Sequence, residues 1–274
     1  PVEAFYEIRW VRPMRTSESP FRWLRIASNL SREFFHALRM SYMSVSAHAD
    51  VYHAHFLNSL FPAYIAARLH HGKLVFDHRD LFVESGSQVW PAWRTRLFTW
   101  LESRLTPRVD VVLTVSQDFG EYLSKKHDMV APVLVFNGPA ECSPVAQECR
   151  VPVRLFFQGN FRRNRNLESL IRAMGELRGR ATLTLQGWGG VESELHDLVL
   201  ELGLSDVVTF RDRCEPADVV MCARDYDVGV ICYKGETVNL QLTAPYKLMD
   251  YMGAGLAVAC SDLPGLRRVI DETG

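Results

Sequence analysis

Lys247 and Asp250 stand three residues apart in a stretch, Pro245 to Gly265, that reads as a helix, a Gly-rich turn, a short apolar strand and a second helix start. Residues three apart share one helix face, so an ammonium and a carboxylate can reach the same ligand. Leu248, Met249, Tyr251 and Met252 give that helix a different, apolar face for burial. Gly253 and Gly255 end it, LAVAC reads as a fully buried strand, and Ser261 and Asp262 cap the next helix. A second charged group lies upstream, where Gly159, Asn160, Phe161, Arg162, Arg163, Asn164, Arg165 and Asn166 precede a helix predicted from Leu167. Guanidinium forks, backbone N–H groups and the positive end of a helix together suit a diphosphate. Taken alone, the same loop reads as a solvated basic turn.

Such groups need a scaffold that brings distant loops together. From Asp50 onward, strand-like runs alternate with helical patterns: DVYHAHF, FPAYIAARLH, KLVFD, RTRLFTWLESRL, DVVLTVS, a helix to Lys126, and PVLVFNG. After a polar, aperiodic stretch the rhythm restarts with VRLFFQG and runs through TLTLQG, VVTFR and DVGVICY to LAVAC. This is the βαβ pattern of a parallel α/β sheet, given twice. The reading is therefore two Rossmann-like, doubly wound domains facing a cleft: residues 1–138, a linker at 139–151, and residues 152–274. PVEAFYEIRW looks like a strand already under way, and IDETG stops where further strands are expected, so an incomplete chain is expected at both ends.

At 274 residues with 47% apolar composition, two cores can be buried. A net charge of −1 argues against a nucleic-acid binder that neutralises many phosphates. All six cysteines fall in the second half without Cys-x-x-Cys spacing, which indicates a reducing, cytoplasmic compartment and neither a zinc site nor a redox motif. No apolar run approaches the roughly 18 residues of a spanning helix. Arg9, Arg12, Arg15, Arg22, Arg25, Arg32 and Arg39 interleave with Trp10, Phe21, Trp23, Phe34 and Phe35, a mixture that suits an anionic membrane surface. Glu3, Glu7, Glu18 and Glu33 dilute it. His53 and His55 share a strand face as a metal pair does, but spacing suggests no third ligand, so core or acceptor-side histidines are expected and no metal is.

The Pro245 stretch resembles the carboxyl-terminal signature of retaining GT-B glycosyltransferases that use nucleotide-sugar donors, the large group 1 or family 4 set. Pro245, Lys247, Asp250, Tyr251, Met252, Gly255, Val258 and Ala259 carry the match. It continues upstream through FFQGNFRRNRNLESLIRAM and TLTLQGWG and more weakly into the first half. The resemblance implies a nucleotide-diphospho-sugar as donor substrate, no separate cofactor, and a glycan or lipid-linked acceptor. Arg165 and Lys247 then hold the donor diphosphate, together with Gly159, Asn160 and Arg163. Asp250 stands where the family has Glu and takes the ribose hydroxyls. Gly187 matches a Gly-x-Gly turn near the nucleotide, and Arg211 falls where the chain passes the base.

Another family Glu, eight positions before Asp250, is replaced by Leu242. Glu236, Asn239 or Thr243 could take its place at the donor sugar. His78 occupies the position of a first-domain His that reaches the donor sugar; the residues alone fit equally a structural His between Asp77 and Asp80. Departure of the diphosphate leaves an oxocarbenium-like sugar, so the main catalytic work is stabilising the leaving group. Two other readings remain at this stage: a nucleotide-sugar epimerase of the same architecture, and a non-catalytic donor-binding subunit.

Overall fold

The computed structural model describes residues 22–86, 90–136, 138–139 and 151–273. The chain divides into two compact units, one taking in the chain to Thr114 plus Tyr122–Val133, the other Val115–Glu121 plus Leu134–Gly274. This division differs from the sequence boundaries by a short exchange. Ser116 Oγ donates to Leu242 O at 2.8 Å and Arg268 pairs with Asp118 at 2.9 Å, which ties Val115–Glu121 to the second unit. Most of the expected linker, 140–150, lies outside the described residues.

Through unit 1 and the exchanged segment the elements run α1 (Arg22–Ser46), β1 (Val51–His55), α2 (Leu57–His70), β2 (Lys73–Asp77), α3 (Phe82–Gly86), α4 (Ala92–Leu105), β3 (Val111–Thr114), α5 (Gln117–His127), whose first turn belongs to unit 2, and β4 (Val133–Leu134). The sheet order is β1-β2-β3-β4, with β1 to β3 parallel. Ala63, Ala66 and Ala67 on α2 are buried, and these small side chains let the helix lie close over Tyr52, Leu74 and Phe76. α1 was not anticipated from the sequence, and the notable basic and aromatic residues before Arg22 lie outside the described residues.

Unit 2 continues with β5 (Val153–Asn160), α6 (Leu167–Glu176), β6 (Ala181–Trp188), α7 (Glu192–Glu201), β7 (Val208–Arg211), α8 (Val219–Ala223), β8 (Val228–Ile231), α9 (Val238–Leu242), α10 (Tyr246–Ala254), β9 (Ala257–Cys260) and α11 (Pro264–Thr273). Its strands are all parallel in the order β7-β6-β5-β8-β9. Successive residues of a strand point to opposite faces, and the adjacent Phe156 and Phe157 accordingly enter different cores. Phe157 packs with α6 and α7, while Phe156 packs with α8, α10 and α11, so helices cover both faces. The doubly wound reading holds.

Two local expectations change. β9 is an edge strand whose residues alternate between exposed and half-buried, because only β8 pairs with it. Gly253 is buried inside α10, and Gly255 alone, at φ 79°, forms the left-handed cap.

Candidate donor site

In this strand order the chain turns one way from β5 to β6 and the other way from β7 to β8. The crevice between β5 and β8, at the carboxyl ends of the strands, is where open α/β sheets hold ligands. Three segments meet there: the Gly159–Arg165 loop after β5, Tyr233 just after β8, and the start of α10. Tyr251 fixes α10, since its fully buried hydroxyl accepts a hydrogen bond from Gln158 N at 3.0 Å. One turn earlier, Lys247 is thereby brought against β5.

Lys247 is only 8% exposed, on the buried side of α10 with Leu248 and Tyr251 rather than on a separate polar face. Its Nζ lies 3.8 Å from the centre of the Phe157 ring and 5.6 Å from that of Tyr233. The Arg165 guanidinium lies over the same Tyr233 ring at 4.1 Å. Aromatic faces attract cations, which lets two positive groups gather without an acid between them. Burial pushes the Lys247 ammonium well below its ordinary pKa and Arg165 adds to this, while Cys232 and Asp250 act the other way. Asp250 is half-buried, and burial raises its carboxyl to about 6 against the pull of Lys247. Neither charge is well served in the free protein.

Glycine is required where these strands end. At φ 146°, Gly187 lies so close to β5 that an added Cβ would stand 1.9 Å from Gly159 O. Gly159, at φ 134°, would place a Cβ 3.1 Å from Lys247 Nζ. The bare backbone leaves room for the lysine beside β5.

A hollow of about 1070 Å³ opens over these strand ends. It is lined by Gln158, Gly159, Asn160, Gln186, Gly187 and Trp188, by Arg213 to Ala217, and by Asp250. Arg163 lies in a smaller, more open recess of about 690 Å³ beside it, where it pairs with Glu194 at 2.8 Å, both side chains being exposed. Arg163 is thus occupied by an acid, unlike Arg165. Arg211 does not line the hollow; the chain reaches it two residues later, at Arg213, whose guanidinium sits 5.0 Å from the Trp188 ring centre. Thr243 ends α9, and Leu242 presents its carbonyl to Ser116.

His78 belongs to unit 1. It is 2% exposed, with Nε2 committed to Glu102 Oε1 at 3.0 Å. Glu102 also accepts from Lys126, which bonds Glu84, which accepts from Tyr122. This enclosed network gives His78 the kind of structural partner that its sequence surroundings equally allowed, with Glu102 in the place expected of Asp77 and Asp80. Gln158, Gln186 and Arg213 line the hollow without having been anticipated from the sequence, whereas Trp188 lies in the expected Gly-rich turn. The first two carried a signal, because each stands immediately before its strand-end glycine, and β5 and β6 pair them in register.

The profile described as Glycosyl transferases group 1 matches residues 152–274, and that described as Glycosyl transferase 4-like domain matches residues 6–140. The chain belongs to this glycosyl transferase family. No curated protein matches it by sequence. Among solved structures, Anabaena HepE in complex with UDP and glucose is similar at TM-score 0.62 and 16% identity, over 84% of this chain and 64% of HepE. Sucrose-phosphate synthase from Thermosynechococcus elongatus reaches TM-score 0.66 at 17% identity, over 94% of this chain and 67% of that one. The family member described above spans about two thirds of these neighbours' lengths, and at this identity the likeness concerns the GT-B fold. Among its described residues no helix is long and apolar enough to cross a membrane.

Proposed function

We propose that this glycosyl transferase moves a sugar from a nucleotide-diphospho-sugar to a glycan or lipid-linked acceptor with retention of anomeric configuration. The carrying observation is the pair of cations, Lys247 and Arg165, gathered about Tyr233 beside the hollow with no carboxylate partner among the described residues. A diphosphate bound there gives the buried ammonium the counter-charge it lacks. Asp250, on the wall of the same hollow, accepts hydrogen bonds from the ribose hydroxyls. Gly159, Asn160 and Gly187 bring the backbone close to the phosphates, while Trp188, Arg213 and the apolar Ala217, Val220 and Met221 receive the base. HepE and a second HepE structure are described as complexes with UDP and with UDP-glucose, which supports this class of donor.

As the glycosidic bond breaks, negative charge grows on the leaving diphosphate, and Lys247 and Arg165 stabilise it most where it is greatest. The departing phosphate takes the acceptor's proton, so no protein base is invoked. Two fixed cations supply the charge, and we expect transfer to persist in a chelator. A donor-binding subunit without catalysis is a second reading, favoured by Leu242 at the position of the family's sugar-contacting acid. Incubating the protein with a panel of nucleotide sugars, scoring transfer, epimerisation and binding separately, tests both: nucleotide binding without transfer to any acceptor selects the second reading. Loss of neither binding nor transfer in Lys247→Ala and Arg165→Ala would refute the site.

A lipid-linked acceptor fits the exposed face of α4. Trp93, Leu97 and Trp100 recur at helical spacing and are exposed, Arg96 and Arg104 are exposed too, and the sole acid of this helix, Glu102, is buried. Such a face suits an anionic bilayer. Vesicles containing anionic lipid should retain the protein, and replacing Trp93 and Trp100 by Ser should release it. Four described cysteines are free thiols, in keeping with a cytoplasmic setting.

A further inference from the structure

Unit 1 carries a group of side chains to which the proposed transfer assigns no role. β1 alternates its faces, so His53 and His55 project from the same side, with ring centres 4.2 Å apart. The parallel register sets His55 opposite Asp77 of β2, completing what the sequence spacing of the two histidines left open. His55 Nδ1 stands 3.1 Å from Asp77 Oδ2. One ligand-type atom from each of the three lies within 4.8 Å of the other two, and among the described residues no other such trio occurs.

We propose that His53, His55 and Asp77 form a three-ligand binding site for a first-row divalent transition metal, zinc being the best match to two imidazoles and one carboxylate. Metal–nitrogen and metal–oxygen bonds of about 2.0–2.2 Å set tetrahedral ligand atoms roughly 3.4 Å apart. Side-chain rotation covers the remaining distance. The backbone need not move, because strand pairing already fixes all three Cα positions. Both histidines are exposed and Asp77 is 4% exposed, so a cation enters from solvent and meets a carboxylate anchored below. The fourth position faces solvent and takes water or a hydroxyl-bearing ligand, at the carboxyl ends of β1 and β2 where parallel sheets place their ligands.

Arg79 gives the site its character. Its Nε donates to Asp77 Oδ2 at 2.6 Å, which orients the carboxylate as outer partners of metal ligands do. Its charge also repels a bound dication. The site therefore binds a metal reversibly, and a soft thiolate-seeking ion is disfavoured by its nitrogen and oxygen donors.

The test uses the full chain without a polyhistidine tag, titrated with zinc and with cobalt(II). One equivalent should bind more tightly than the rest, with a cobalt spectrum of nitrogen and oxygen ligation and no thiolate charge-transfer band. His53→Ala and His55→Ala should each weaken binding by at least about tenfold, the lower end of what loss of an outer partner alone costs. Both side chains are exposed, so unchanged circular dichroism will accompany that loss. Arg79→Leu should tighten binding. Equal zinc affinity in the His53→Ala/His55→Ala double variant, a thiolate band, or no tight equivalent at all would overturn the site. None of these outcomes bears on the donor site, whose own variants lie in unit 2.

Discussion

Two buried charged clusters, one in each unit, are built on opposite terms. In unit 1, Glu102 is fully buried yet flanked by His78 on one oxygen and Lys126 on the other, and Lys126 is shared with Glu84. In unit 2, Lys247 is nearly as buried, but its neighbours are aromatic faces, a second cation and a half-buried acid that does not pair with it. The pKa directions separate them. Burial works against the Glu102 carboxylate, but the His78 hydrogen bond and the Lys126 charge outweigh it and hold the group at about 2. Lys247 is driven away from its charged form, and so is Asp250. A buried charge answered by the protein is part of the fold; one left unanswered is waiting for a ligand.

The sharpest way to break this comparison is to remove one charge from each cluster. Glu102→Ala should cost about 3–5 kcal/mol, because it takes from buried His78 its carboxylate partner and from Lys126 one of its two, and urea unfolding will read it. Lys247→Ala should leave unfolding unchanged or raise the midpoint, while lowering transfer about 100- to 1000-fold, as expected for loss of a group that meets developing charge. If Lys247→Ala unfolds the protein and Glu102→Ala does not, the contrast fails.

The pH dependence sharpens it further. Asp250 has a folded pKa of about 6, above its usual 3.8, so the folded state holds the extra proton and its contribution to stability falls as pH rises between those values. Under the proposed ribose-binding role the dependence runs the opposite way, and donor affinity should drop as pH falls through about 6. Asp250→Asn should flatten that affinity profile in calorimetry and raise the melting temperature at neutral pH. Glu102, lowered from 4.5 to about 2, stabilises fully above 4.5, and that contribution is lost as pH falls through about 2. The smallest effect is expected at Arg163, whose exposed pair with Glu194 is worth at most about 1 kcal/mol. Arg163→Ala should change transfer less than about fivefold; Arg165→Ala, measured beside it, should cost far more.

Much of the molecule was legible in its sequence. The βαβ rhythm is a local property, since strand and helix periods are written residue by residue, and it yielded both sheets and the helix at Leu167. Lys247, Asp250, Gly159 and Arg165 were legible because glycines and charges stand at strand ends and helix starts. α9 was not, being a single turn with no periodicity to read. Arg213 was hidden in an aperiodic loop, and Arg163 and Arg165, identical in type and two residues apart, were indistinguishable until one faced Glu194 and the other Tyr233.

The sequence by itself determined the fold class, the glycines that permit close strand ends, and the residue types available at the donor site. Only the tertiary structure decided which charges are answered. That Glu102 meets His78 and Lys126, that His55 meets Asp77, and that Lys247 meets rings instead of an acid are matters of strand order and helix placement. Pairing energy depends on distance and burial, and neither is written in the spacing of residues along the chain.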